Sequence, residues 1–239
     1  MHKQTLRPAI AMIELIFALV IMAIVLMSAP MLISTSIKSS FVVIQQEAIN
    51  EAAARISMVM GYHWDEQNTN EEYLDNLLHT TTVYTDLDEF NSTGYRKGTP
   101  FESYRSFIRD DGVRTLNASA SGTFGSGVDA GDTSEDDIDD FDGNSDTLTL
   151  IDTEAGNVET TTINIATTVA YSSDTVTGGY NQSAIVFDTL TTTTNSTNIK
   201  LITTTLTSTS GVDELNKTIQ LRAFSCNIGG YILEEKDDF

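Results

Sequence analysis

The sequence predicts an α+β protein in which a long N-terminal helix, membrane-spanning in its lower half, packs on an antiparallel β-sheet. Residues 10–33 are predominantly apolar and contain one charged side chain, Glu14. Apolar residues then recur at three- and four-residue steps to about residue 60, and residues 147–226 hold alternating stretches rich in Thr, Val and Ile. About 20 apolar residues suffice to cross a bilayer as a helix. Alternation of β-branched residues favours strands.

The N-terminus joins a short basic leader to this apolar segment. Lys3 and Arg7 lie in the first nine residues, which contain no acidic side chain. A carboxylate inside an apolar span is costly to insert into a membrane, so a retained Glu14 indicates a role.

The basic leader, Ala9 and the Met-Ile-Glu-Leu-Ile run at residues 12–16 resemble the class III signal of type IV prepilins and pseudopilins. The resemblance implies cleavage by prepilin peptidase between Ala9 and Ile10, so that residues 1–9 are a leader peptide. It also implies N-methylation of Ile10 and pairing of Glu14 with the amine of Ile10 or of a neighbouring subunit. The family usually has Gly before the cut and Phe after it, where this chain has Ala9 and Ile10.

Two other interpretations of the N-terminus remain open. A secretory signal peptide also has a basic start and an apolar core. This run is longer than a usual signal core and contains Glu14. An ordinary membrane anchor, in which Glu14 is incidental, is the second alternative.

Residues 10–60 are predicted to form one helix. Pro30 lies inside it, and because proline removes a backbone donor we expect a kink or a local break there. Beyond Pro30 the helix is predicted to be amphipathic and to lay one face against a sheet. The apolar residues of that face are Ile37, Phe41, Ile44, Ala48, Ala52, Ile56 and Val59.

Residues 61–146 are predicted to be a variable connecting region with an acidic loop. Gly61 is expected to end the helix, residues 71–79 to form a short helix, and residues 107–116 a hairpin. Residues 117–146 are predicted to be a loop, and in its acidic part, residues 132–146, only Ile138 and Phe141 are suited to burial.

Residues 147–239 are predicted to form an antiparallel β-sheet region. The alternating stretches cover residues 147–151, 158–171, 183–188, 197–207 and 217–226. Several such strands and one long helix make an α+β protein, which is also the type IV pilin-like plan that the resemblance implies.

The charge balance excludes some classes of partner. The formal net charge is −21, from 13 basic and 34 acidic residues. Binding nucleic acid needs a basic footprint, which this chain lacks. Cys226 is the single cysteine, so an intrachain disulfide is excluded, and we expect it to be a buried small apolar residue.

The acidic loop is the candidate metal site. Clustered Asp side chains supply the oxygen ligands that calcium prefers, and Gly143 permits a sharp turn. The Asp-Asp-Ile-Asp-Asp-Phe-Asp-Gly run at residues 136–143 is similar to an acidic motif of minor pilins of the mannose-sensitive haemagglutinin type. Calcium is the one cofactor considered, and a solvated acidic loop is the alternative. The candidate ligands are Asp137, Asp139, Asp142 and Asp146.

No enzyme is predicted, because the sequence has no Gly-x-Ser-x-Gly, His-Glu-x-x-His or Cys-x-x-Cys motif. His63 beside Trp64 and Asp65 is expected to be a helix end packed on the domain. The resemblance implies a minor pilin or pseudopilin of the bacterial inner membrane, with its C-terminal domain periplasmic, that assembles into a filament. Its partners would be other pilin subunits, prepilin peptidase and the inner-membrane assembly platform. The alternative is a membrane-anchored periplasmic cation-binding or adhesive module.

Overall fold

The computed structural model describes residues 7–69, 77–80, 117–125, 134–152, 159–176, 183–184, 188–208 and 215–229. The chain divides into two compact units, Met1–Glu47 and Ala48–Phe239. A single helix, α1 (Arg7–Val59), begins in the first unit and ends in the second. The second unit is called the globular unit below.

Helix α1 follows the predicted bounds closely. It continues through Pro30, so the predicted local break is absent. It ends at Val59, where the Gly61 amide donates to the Met58 carbonyl oxygen over 2.9 Å and closes the last turn. Glycine at this position matches the predicted C-terminal stop.

The described part of the globular unit contains five antiparallel strands, and four of them match alternating stretches of the sequence. They are β1 (Ser145–Asp152), β2 (Glu159–Ser172), β3 (Thr192–Thr193), β4 (Ile199–Ser208) and β5 (Ile219–Cys226). The order is β1-β2-β4-β5, and β3 pairs with the end of β2. The strand predicted at residues 183–188 is not found at its described positions, 183, 184 and 188, and positions 185–187 lie outside the described residues. β3 was not predicted.

One face of this sheet carries the core. Strand register pairs Val169 with Ile202, and the same face continues to Ile165 and Leu206. Successive strand residues point to opposite faces, which places these buried side chains together. On α1, the predicted face is buried from Ala48 onward, while Ile37 is exposed. The core cluster contains Ile56, Val59, Trp64, Leu78, Phe124, Ile138, Phe141, Val169, Tyr171 and Ile202.

The connecting region is only partly as predicted. Residues 77–80 are extended rather than helical, with His79 bridged to Asn117, so the predicted helix is wrong at its C-terminal end. Leu78 is instead fixed by Asn227, whose side-chain nitrogen donates to the Leu78 carbonyl oxygen over 2.7 Å. Residues 70–76 and the hairpin predicted at 107–116 lie outside the described residues.

The predicted acidic loop packs against the core. Ile138 and Phe141 are buried, as expected, and a 3₁₀ helix spans Asp139–Phe141. Asp137, Asp139 and Asp140 are buried as well. These carboxyl groups were expected on a solvated or metal-bound loop, and their burial needs a counter-charge from elsewhere in the chain.

Candidate functional site

The first candidate site is the N-terminal part of α1. This helix is long enough and apolar enough to cross a membrane, and none of its most apolar window is buried. Met27, for example, is 83 % exposed, unlike a side chain on the core helix of a soluble protein. Ala9, Ile10 and Glu14 all lie on α1, and Glu14 is exposed.

The spacing of Ile10 and Glu14 has a geometric consequence. Residues four apart on an α-helix lie on the same face. The Ile10 and Glu14 side chains therefore share one face of α1, with the predicted new amine one helical turn before Glu14. An exposed carboxylate on an otherwise apolar surface is suited to pairing with a cation outside its own helix.

The second candidate site is a buried lysine in the globular unit. Lys200 lies on β4, opposite Tyr171 of β2, and its side chain has no exposed area. Its Nζ donates to the Trp64 carbonyl oxygen over 2.6 Å, to Asp65 Oδ2 over 2.9 Å and to Asp139 Oδ1. An ion pair in the interior is stable only with such additional hydrogen bonds.

Aromatic rings complete the surroundings of Lys200. Its Nζ lies 4.4 Å from the ring centroid of Trp64, 5.1 Å from that of Phe124 and 5.6 Å from that of Tyr171. Ring faces attract a cation, more strongly when water is excluded. The rings and carboxylates together hold the lysine charged, and the flanking Asp65, Asp139 and Asp137 raise the pKa of Lys200 against the effect of its burial.

Asp65 is the more firmly held of the two carboxylates on Lys200. It is fully buried and caps the 3₁₀ helix Glu66–Asn68, accepting from the Gln67 amide over 3.3 Å. It also accepts from the Ser119 amide and hydroxyl, each over 3.0 Å. The Tyr171 hydroxyl donates to the Ser119 carbonyl oxygen over 2.7 Å and fixes the same loop.

Asp139 has far fewer partners. Its Oδ1 contacts Lys200, and its buried Oδ2 has no hydrogen-bond partner among the described residues. Burial raises the pKa of Asp139 well above 3.8, and the Lys200 charge only partly opposes this. The two carboxyl groups on one lysine therefore differ in their surroundings: Asp65 accepts several hydrogen bonds, whereas burial raises the pKa of Asp139 and favours its neutral acid.

The four predicted calcium ligands have separate protein partners. Asp139 contacts Lys200, and Asp146 pairs with Arg55 on α1. Asp142 Oδ1 accepts from the Val169 amide over 2.8 Å, and Asp137 Oδ1 from the Asp140 amide over 3.1 Å. Within the described parts of the chain, no group of three His, Cys, Asp or Glu side chains is placed to hold a metal ion. Calcium binding stays a prediction.

Sequence reasoning missed Lys200 and Asp65 as a pair. A signal was present, because Lys200 is the single charged residue of the strand predicted at residues 197–207 and stands between Ile199 and Leu201. The prediction that the segment after α1 packs on the domain is confirmed by burial of Trp64 and Asp65. Cys226 is half-buried, which raises the pKa of its thiol.

The raised pKa of the buried Asp137 predicts that the stability of the fold depends on pH. Burial raises the pKa of Asp137 from 3.8 to about 7. Between these values the folded chain binds more protons than the unfolded chain, so stability falls as pH rises from about 4 to 7. Melting temperatures over this range, followed by the fluorescence of the single tryptophan, Trp64, measure the fall. Asp137→Asn should make it smaller.

Asp188→Asn is the matched control for this measurement. Asp188 is exposed, and a hydrogen bond from Thr191 lowers its pKa, so it titrates below this window. The control should keep the full decrease in stability. An unchanged pH profile in Asp137→Asn would show that Asp137 does not titrate in this range.

Comparisons of the chain with protein-family models, curated proteins and solved structures find no match.

Proposed function

We propose that the protein is a minor pilin or pseudopilin, a structural subunit that assembles through its N-terminal helix into a type IV pilus-like or type II secretion filament. The observation that carries the proposal is the surface of α1 around Glu14. Large apolar side chains from Met12 to Ile33 are exposed on this helix, and Glu14 is the only charge between Arg7 and Lys38.

Such a surface needs an apolar environment, because exposed contiguous apolar patches of this size are otherwise unfavourable in water. A bilayer supplies that environment before assembly, and neighbouring N-terminal helices supply it afterwards. The Glu14 carboxylate distinguishes the bilayer from an environment of neighbouring helices. It is unfavourable in lipid, but favourable beside the terminal amine of a second helix, where the low dielectric strengthens a well-formed pair. The antiparallel sheet of the globular unit, with helix residues packed on it, fits the same plan.

The proposal assigns partners and a location. Prepilin peptidase would cut between Ala9 and Ile10 and methylate Ile10. The subunit would wait in the bacterial inner membrane with its acidic domain in the periplasm, then join other pilin subunits at the assembly platform. The competing function is a membrane-anchored adhesive or cation-binding module outside any filament. An enzymatic role has no supporting motif.

Processing is the first test. We expect a mature chain that begins at Ile10 and carries one added methyl group, because Glu14 sets the register of the cut. Intact-mass measurement on membrane-extracted protein checks this. A chain that keeps Met1, or one cut after the apolar segment as by an ordinary signal peptidase, contradicts the proposal.

Fractionation is the second arm of the same test. A filament subunit is expected in sheared surface filaments, or in filaments formed when the secretion system is overproduced, whereas a plain anchored module stays in the membrane pellet. Correct processing without recovery in either filament preparation favours the alternative function.

A further inference from the structure

The surroundings of Lys200 place an amine directly against two carboxyl groups in a dry interior. Its Nζ contacts Asp65 and Asp139, and none of the three side chains is more than 3 % exposed. We infer that Lys200 and Asp139 condense within the folded chain to form an isopeptide bond, with Asp65 acting as the base. This inference does not depend on filament assembly.

The hydrogen bonds decide which carboxyl group is attacked. Asp65 accepts hydrogen bonds from Gln67, Ser119 and Lys200, which hold its oxygens in place to take and return a proton. Among the described residues, the carboxyl oxygens of Asp139 have no partner other than Lys200, and Oδ2 is buried without a hydrogen bond. A neutral carboxylic acid is the form that an amine can attack, and burial favours that form at Asp139.

The fold also meets the positional requirement of the reaction. Lys200 is fixed by β4, and Asp139 by the 3₁₀ helix Asp139–Phe141, so the two groups are held in contact. Such fixation makes a bimolecular step effectively unimolecular and is worth effective molarities of about 10⁵ M or more. Trp64, Phe124 and Tyr171 surround the amine and exclude the water that would otherwise reverse the condensation.

The step balances without an external reagent. Because Lys200 is held charged, the reaction proceeds through a minor form in which its ammonium has given one proton to the Asp65 carboxylate. The free amine of that form attacks Cγ of the neutral Asp139 carboxylic acid. A C–N bond forms, and the C–O bond to the hydroxyl group breaks. Asp65 returns its proton to the leaving hydroxyl, which departs as water, and then takes the second proton from nitrogen. The products are a neutral amide, one water molecule and protonated Asp65.

Intact mass under denaturing conditions tests the inference on the full chain purified in detergent. The matched control is Lys200→Arg, which keeps the positive charge but replaces the amine with a weakly nucleophilic guanidinium. We expect the wild-type chain to be lighter than its sequence requires by one water molecule, and Lys200→Arg to have the mass of its own sequence. N-terminal processing is the same in both chains, so it cancels in the comparison.

Asp139→Asn gives a sharper second comparison. Its side chain would release ammonia in place of water, and the product is the same amide. The cross-linked Asp139→Asn chain should therefore have the same mass as the cross-linked wild-type chain. Asp139→Ala removes the electrophile and should show no loss.

Peptide mapping of the wild-type chain tests the inference without any variant, so the result does not depend on whether a variant folds. Trypsin does not cleave after an acylated lysine, so residues 199–201 should remain joined, within a branched peptide that contains Asp139. A wild-type chain at its full sequence mass, with cleavage after Lys200, overturns the inference and leaves a buried ion pair. A loss of one water that persists in Lys200→Arg belongs to another site and overturns it equally.

Discussion

Replacing Asp65 with alanine is expected to destabilise the globular unit by about 3–5 kcal/mol, since the variant lacks the base for condensation and keeps Lys200 as a buried cation without this counter-charge. Asp65 is fully buried and accepts hydrogen bonds from Lys200, Ser119 and Gln67. The variant removes all of these acceptors at once, while the Lys200 amine stays in the interior. Chemical denaturation of the chain in detergent, followed by Trp64 fluorescence, measures the loss, and Trp64 itself contacts Lys200.

Asp188→Ala is the matched control for this change. It removes a carboxylate of the same size that also accepts hydrogen bonds, from Leu190 and Thr191, but in an exposed turn. We expect a much smaller loss of stability there, as for most surface groups. Equal losses in the two variants would show that burial of the Asp65–Lys200 pair contributes nothing particular to stability.

Glu14→Leu is expected to abolish incorporation into filaments while leaving membrane insertion intact. Removing a charge from an apolar helix makes insertion more favourable. The proposed partner amine, however, loses its counter-charge in a low-dielectric environment, where an unpaired charge is costly. The measurement is the ratio of the variant in sheared filaments to that in the membrane fraction, compared with wild type.

Glu51→Leu is the control on the same helix, because Glu51 is also an exposed glutamate of α1 but lies in the globular unit. The Glu51→Leu chain should keep the proposed pairing at Ile10 and should still be incorporated into filaments. A Glu14→Leu chain that enters filaments normally would make the carboxylate incidental and favour the plain anchor.

Much of the fold could be predicted from the sequence because its signals are local. The apolar run and the helical periodicity predict a helix over residues 10–60, and α1 spans Arg7–Val59. Alternating Thr, Val and Ile predict β1, β2, β4 and β5 to within about three residues. Ile138 and Phe141 could be assigned to the core because they are the large apolar residues in a run of acidic ones.

The contacts of Lys200 with Asp65 and Asp139 could not be predicted in the same way, because these residues are distant in the chain. Lys200 is 135 residues from Asp65 and 61 from Asp139. Local composition at residues 132–146 gives only a dense negative charge, which favours solvent or a cation. Only the register of β4 shows that a lysine faces these carboxyl groups. The proposed N-terminal site is the reverse case, since Ala9, Ile10 and Glu14 lie within six consecutive residues, and it stays a prediction from the sequence.

Burial of Lys200 also constrains the order in which the globular unit folds. A lysine side chain cannot enter an apolar interior without its counter-charges. The core face of β4 therefore closes only when the segment after α1 and the 3₁₀ helix Asp139–Phe141 have both docked. These contacts join residues far apart in the chain, and such contacts form slowly. Until they form, the apolar face of the nascent sheet is exposed, and such exposed faces are prone to aggregation.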